Sequence, residues 1–380
     1  MLKLIEEGVI ILIKRGTWAE VNIDNIKYNM NAIKETLKDS TKVCCVIKAD
    51  AYGHGAVKVA QALEIEGVDY LAVARFEEAM ELRNAGIKMP VLCLGYISEY
   101  DVKEAIENEI TFTVFSLDTA KLIDKEAKEL EKEAIIHIKI DTGMSRLGFM
   151  PTNSSVSDIE KIIKLKNVNV EGMYTHFATA DDMDKDETYL QLLKFRQVVD
   201  KLKELDIEIP IKHVSNTAGT IDLKELGFEM VRIGIGLYGC YPSNEVSKDI
   251  ILKPALTLKT KVTSVKDLKE GSKIGYGYTY ECEQDTKIAA ISIGYADGFV
   301  RTQNSPKVMI KGVLCDVVGR ICMDQCMVKV PYSLNVSPET DVLVIADEDG
   351  IRVEDIASRC NTINYEILCG ISKRVVRHYE

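Results

Sequence analysis

Basic, imidazole and hydroxyl side chains recur in this chain at one kind of position, the end of an apolar run. Lys48 ends the run Val43–Ala49. Lys139, Asp141 and Arg146 end or follow Ile135–Ile140, and His176 follows Val170–Thr175. Ser215, Asn216 and Thr217 follow Ile211–Val214, and Arg232 ends Met230–Ile233 with Gly234 behind it. Any one of these is ordinarily a solvated or ion-paired surface group; several sharing one mouth would make a site. A buried lysine among cationic neighbours has a depressed pKa and can attack an aldehyde as a free amine. The turn NTAG at Asn216 and the segment GIG at Gly234 offer backbone N–H groups of the kind that hold a phosphate. The residues alone describe an enzyme with a phosphate-bearing carbonyl ligand, and aldolase chemistry on a phosphorylated sugar meets that description too.

The elements that must position these groups follow from periodicity. Ile26, Met30, Ile33 and Leu37 repeat at helical spacing, with Asp24 placed to cap the first turn. Val43–Ala49 is a near-continuous apolar run ending at the turn signal YGHG, as expected of a parallel strand buried on both faces, and a helix is expected over Ala56–Glu66. The alternation continues through Tyr70–Ala74, Val91–Leu94, Thr111–Val114, Ile135–Ile140, Val170–Thr175, Ile211–Val214 and Met230–Ile233. With the first run this makes about eight strands, the number a (β/α)₈ barrel requires, and in such a barrel chemistry sits at the C-terminal strand ends. After about Ile250 the texture changes to alternating β-branched residues over Thr257–Val265, then short runs at Ile288–Ile293, Val308–Ile310 and Val342–Ile345. The organisation expected is an extension over residues 1–14, a barrel over 15–245 and a mostly β domain over 246–380, with Pro242 and Pro254 marking the join.

Composition narrows the class. The 380 residues are 46% hydrophobic, enough for a large core. The net charge is −11, and no lysine- and arginine-rich block could track a phosphate backbone, so nucleic acid is not an expected partner. The ten cysteines contain no CxxC pair, and Cys44 and Cys45 adjoin inside an apolar run, which suggests reduced thiols in a cytoplasm. Cys322 and Cys326 lack a histidine companion in a strand-like context, so no metal is expected. The N-terminal apolar run Val9–Ile13 is too short to span a bilayer, and neither a signal peptide nor a membrane is expected.

The segment Val46–Gly55 (VIKADAYGHG) resembles the cofactor-lysine signature of the alanine racemase family, whose members use pyridoxal 5'-phosphate (PLP). Further matches run in order: TWAE at Thr17, DTGMSRLG at Asp141, THF at Thr175, NTAG at Asn216, MVRIGI at Met230, IGYADG at Ile293 and GRICMDQ at Gly319. The resemblance covers nearly everything from Arg15 onward. It implies a barrel followed by a β domain, and a head-to-tail homodimer with sites shared across the interface. It further implies that Lys48 holds the cofactor and acts as base on one face of the substrate, while Tyr295 of the partner subunit acts on the other. Two bases on opposite faces are what racemisation requires, since one would return the same enantiomer.

By the same resemblance Tyr52, Asn216, Thr217, Gly234, Ile235 and Tyr365 belong to the cofactor- and phosphate-binding set, and His176 lies beside the pyridine ring. Arg232 is aimed at the pyridine nitrogen. Arg146 holds the cofactor phenolate and the substrate carboxylate, which the backbone of the partner subunit's Met323 also contacts, with Asp324 supporting. Lys139 matches a position carbamylated in some relatives, where the anion orients Arg146. The product D-alanine would feed peptidoglycan in a bacterial cytoplasm. Ser145 departs from the family, standing where many relatives have glycine. The competing functions are a serine or broad-specificity racemase of the same fold, a decarboxylase of basic amino acids, and a non-catalytic PLP-carrier protein.

Overall fold

The computed structural model describes residues 3–6, 9–12, 16–226 and 228–380. The chain divides into two compact units, Ile23–Lys253 and Met1–Asn22 with Pro254–Glu380.

In the first unit eight parallel strands follow one another around a barrel: Lys42–Val46, Tyr70–Val73, Val91–Cys93, Ile110–Val114, Ala134–Lys139, Val168–Tyr174, Ile211–His213 and Met230–Ile233. The eighth pairs with the first, Val231 opposite Val43. The seventh and eighth are tied by Arg232 N–H donating to Ser215 O at 3.0 Å. Val43, Cys44 and Cys45 are buried on both faces, as a near-continuous apolar strand must be when helices cover it. The helices supply the outer half of that core through fully buried Ile33, Leu63, Leu82, Ile123, Ile159 and Phe195. Truncating any of these to alanine costs about 2–5 kcal/mol.

The first helix runs Ile23–Lys34 and buries Ile26, Met30 and Ile33 as the spacing predicts. Two details differ. Asp24 lies within its first turn rather than capping it, where its carboxylate still favours the helix N-terminus. Leu37 falls beyond the helix, which ends at Lys34.

In the second unit an eight-stranded sheet runs Thr286–Ile291, Cys326–Val330, Val313–Val318, Lys307–Ile310, Asp341–Ile345, Leu256–Leu268, Trp18–Val21, Val376–Tyr379. The long strand Leu256–Leu268 also pairs with Thr286–Ile291, so the first six strands of the order close on themselves. Its alternation is read directly in burial: Leu256, Leu258, Thr260 and Val262 point inward and the residues between them outward. All ladders are antiparallel except Val376–Tyr379 on Trp18–Val21. The residues assigned by sequence to the start of the barrel thus form a strand of this sheet, with Ala19 and Val21 buried. A four-residue strand pairing at long range carries no periodicity that would assign it to one unit or the other.

The N-terminal extension contains strands Lys3–Glu6 and Val9–Leu12, which pair with each other and are not part of the larger sheet. The remainder of that segment, residues 1–2, 7–8 and 13–15, lies outside the described residues. Among the described residues no helix is long and apolar enough to cross a membrane, and no group of three His, Cys, Asp or Glu side chains is placed to hold a metal ion.

Candidate active site

Lys48 lies two residues past the first barrel strand and heads a turn, Lys48–Gly53, of unusual hand. Ala49, Asp50, Ala51 and Tyr52 all have φ between 51° and 55° and ψ between 41° and 52°, a full left-handed turn without a glycine. Left-handed backbone costs an L-residue roughly 1–2 kcal/mol, so surrounding groups must hold it. Glu78 does so from one side, its carboxylate accepting the Ala49 N–H at 2.6 Å together with those of Ala74 at 2.8 Å and Arg75 at 3.1 Å. Asp50 accepts from Ala56 N at 2.8 Å. His54 Nδ1 faces the carbonyls of Ala51 and Tyr52 at 3.1 and 3.0 Å, so it carries the hydrogen. The turn brings the Tyr52 ring to 4.9 Å from Tyr238.

Tyr52, Thr217 and Gly234 converge on one spot. A Cβ at Gly234 would lie 2.9 Å from Tyr52 Oη and 3.9 Å from Thr217 Oγ1, so only glycine leaves this cradle open. Gly236 is similarly restricted, its Cβ falling 2.7 Å from Thr217 Cγ2. The Gly234 amide itself donates to Thr217 Oγ1 at 2.9 Å. Ile235 and Gly236 open the turn Ile235–Tyr238, whose first amides have no partner within a helical turn. Asn216, grouped with this set by resemblance, caps the helix Thr217–Asp222 through Oδ1 and Gly219 N at 3.0 Å. Two hydroxyls and a glycine-walled hollow fit a phosphate.

Arg232 is buried at 3% exposure with both terminal nitrogens committed to protein acceptors. Nη1 donates to His213 Nδ1 at 2.9 Å and His213 O at 3.1 Å. Nη2 donates to Thr175 O at 2.9 Å and Val214 O at 3.1 Å and approaches His176 Nδ1 at 3.3 Å. The donor left over from the guanidinium's five is Nε–H. Burial, followed by Arg232, Lys139, Arg146 and Lys48, drives the His176 pKa well down, so this imidazole is neutral and accepts at Nδ1. Lys139 Nζ stands 4.7 Å over the Tyr174 ring, buried and without a hydrogen-bond partner among the described residues. Burial first, then Arg232 and Arg146, push its pKa well down.

Arg146 is exposed on a loop wound around Asp141, whose carboxylate accepts N–H groups of Gly143, Ser145 and Arg146 at 3.0 Å each. Burial works against the Asp141 charge, but those three amides outweigh it and lower its pKa. Ser145 sits in this loop at φ 56°, a left-handed conformation that glycine would adopt without strain.

The remaining candidates belong to the other unit. Tyr295 lies in the turn Tyr295–Asp297, 40% exposed, with Arg301 at 5.8 Å from its ring. Tyr295 N donates to Cys322 O and Ala296 N to Met323 O, both at 3.0 Å, so this turn and that of Met323 are one assembly. Gly294 is required there: its Cβ would sit 2.2 Å from Met323 O. Arg374 bridges Asp297 at 2.9 Å and Asp324 at 2.7 Å, clamping both turns. Tyr365 is half-buried in the helix Asn364–Cys369 of the same unit. Sequence reading missed Glu78, His137, His213, Glu171, Asp297 and Arg374. Only Asp297 lay inside a quoted motif, and it was given no role.

Models of the alanine racemase N-terminal and C-terminal domains match residues 21–242 and 255–379. An alanine racemase of Methanococcus maripaludis is 48% identical over 372 residues, 97% of this chain and 100% of the relative. Among solved structures, an alanine racemase of Clostridium difficile 630 superposes with a TM-score of 0.94 at 49% identity, covering 97% of each chain. Its complex with cycloserine superposes at 0.93 with 47% identity, covering 97% of this chain and 96% of that one. Matched by both domain models and by such relatives over almost all its length, the chain belongs to the alanine racemase family.

Proposed function

We propose that the protein interconverts L- and D-alanine with PLP, as a homodimer whose two sites are each completed by the partner. The observation that carries this reading is the coincidence, at one barrel mouth, of Lys48, a glycine-walled phosphate cradle, and a buried arginine with one donor to spare. Tyr52, Thr217 and the turn at Gly234 and Ile235 hold the phosphate, with Asn216 capping the helix that carries Thr217, and Tyr365 is assigned to the same set by the family resemblance. Arg232 addresses the ring nitrogen, and His176, held neutral, lies beside the ring. When bound, PLP supplies an electron sink for the α-carbon, and a guanidinium at its ring nitrogen, which donates without yielding a proton, keeps that sink weak and suppresses misplaced protonation.

The chain's own residues carry the protons. Lys48 Nζ takes the α-proton on one face while Tyr295 Oη from the second subunit delivers one to the other, and the roles exchange for the reverse direction. Arg146 and the backbone of the partner subunit's Met323 hold the substrate carboxylate, and Asp324 acts through Arg374 to keep the Met323 turn in place. The exposure of Tyr295 and Met323 in the single chain leaves them available to a second copy. Ten free thiols and the family resemblance favour a cytoplasmic enzyme supplying D-alanine for peptidoglycan.

The test is visible absorbance and L-alanine to D-alanine conversion in wild type and Lys48→Ala. We expect a yellow, active wild type and a colourless, inactive variant. A yellow wild type that turns over serine or a basic amino acid in preference to alanine overturns the substrate, and a colourless wild type overturns the function.

Lys139 is best accounted for as a carbamate. Its neutral amine attacks CO₂, an N–C bond forms, the nitrogen loses a proton to water, and the resulting anion faces Arg146 and Arg232. A ¹³C carbamate signal is expected after incubation with labelled bicarbonate and should vanish in Lys139→Met. Stability distinguishes the alternative. An unmodified lysine with lowered pKa penalises the fold below that pKa, and the penalty fades as pH rises toward the ordinary 10.5. Lys139→Met would then stabilise the protein at pH 7. A carbamate predicts that the same substitution destabilises it, because two cations lose their anion.

A further inference from the structure

Beneath the mouth, Arg232 opens a line of polar side chains whose other members the reaction leaves without a role. Arg232 Nη1 meets His213 Nδ1 at 2.9 Å, His213 Nε2 meets His137 Nδ1 at 2.9 Å, and His137 Nε2 meets Glu171 Oε2 at 3.1 Å. Tyr70 Oη donates to the same carboxylate oxygen. Both histidines are fully buried, while the Glu171 side chain retains 27% exposure. The strand beside His137 is adapted to it: a Cβ at Gly172 would fall 2.5 Å from His137 Nδ1.

The direction of every proton in this line is determined by its two ends. A guanidinium only donates, so His213 Nδ1 accepts and its hydrogen is on Nε2. That N–H points at His137 Nδ1, which therefore accepts, and the His137 hydrogen is on Nε2 facing Glu171. A carboxylate only accepts, so the far end demands the same order. Burial lowers the pKa of both histidines, and the His137 bond first among causes lowers that of Glu171, in keeping with two neutral imidazoles between a cation and an anion. Among the described residues no Asp or Glu carboxylate touches Arg232 directly, and a buried cation is costly unless its hydrogen bonds lead to an anion. Glu171 is the anion to which its hydrogen bonds lead.

We propose that Glu171, acting through His137 and His213, is a positioning residue for Arg232, ordering the protons so that Nη1 is held and Nε–H stays free at the mouth. This rests on the reading of Arg232 as the partner of the cofactor ring. The chain has only five histidines, so selective ¹⁵N-histidine labelling of the full-length protein resolves them. Without cofactor or substrate, His137 and His213 should both be neutral with hydrogen on Nε2. In Glu171→Leu the His137 Nε2 and His213 resonances should shift. Racemisation kcat should fall about tenfold, the cost of one buried hydrogen bond left unmade, with KM for alanine nearly unchanged.

Glu171→Gln keeps an acceptor and should restore most of both signals. Should Glu171→Leu not fold, Tyr70→Phe removes one donor from the same carboxylate and should shift His137 more than His213. An Nδ1–H or doubly protonated His137 or His213 in wild type overturns the proposal. So do His213 resonances and kcat that ignore Glu171→Leu, or, where that variant does not fold, histidine resonances that ignore Tyr70→Phe. Expected tautomers in a protein that fails to racemise alanine would leave the proton order standing and overturn the reaction instead.

Discussion

Tyr295→Phe should lower racemisation in both directions by about 10²–10⁴-fold, the usual contribution of a positioned acid or base, while the protein stays folded and yellow. The substitution removes one oxygen from a turn held by other groups. Asp297 accepts from Gly294 N at 2.8 Å, Arg374 grips Asp297 and Asp324, and the Tyr295 and Ala296 amides are bonded to the Met323 turn. The cofactor residues of the barrel are untouched, so colour and activity should separate.

The shared-site reading makes a sharper demand. Lys48→Ala and Tyr295→Phe subunits, each inactive alone, should recover activity when unfolded together and reassembled. Random pairing makes half of the dimers mixed, and each mixed dimer has one site with both residues intact, so about one quarter of wild-type activity should return. No recovery in a mixture proven to contain mixed dimers would put Tyr295 in the same subunit as its lysine.

Replacing Arg232 with leucine should cost about 3–5 kcal/mol of stability, the range for a buried charged group removed from its partners, and abolish racemisation. The carbonyls of Thr175, His213 and Val214 and the Nδ1 atoms of His213 and His176 all face this guanidinium. Leucine satisfies none of them, and stranded buried acceptors are expensive. Arg232→Lys separates charge from geometry: one ammonium has three donors on a single atom and cannot reach acceptors spread across a planar fork. We expect it to recover part of the stability and little of the activity. Urea denaturation beside alanine turnover measures both, and a lysine variant with wild-type turnover would show that charge alone suffices at this position.

Several parts of this site were legible in the chain itself. Apolar runs buried on both faces made the eight strands readable, and the barrel rule turned the residues at their ends into candidates, so Lys48, Lys139, His176, Thr217, Arg232 and Gly234 emerged from position alone. The family resemblance added Tyr295 and Met323. Periodicity reports which face of an element meets the core, and motifs report local backbone, so both survive in one dimension. Only the tertiary structure decided the left-handed course of Ala49–Tyr52, because Glu78 and the Tyr238 ring, distant in sequence, help to hold that backbone beside Asp50 and His54. It also decided that Trp18–Val21 leaves the barrel for the β-sheet, where its partners lie more than 200 residues away. The line from Arg232 to Glu171 is likewise invisible in sequence: its links span 19, 76 and 34 residues, and they meet only because closure of the barrel sets the register of its strands.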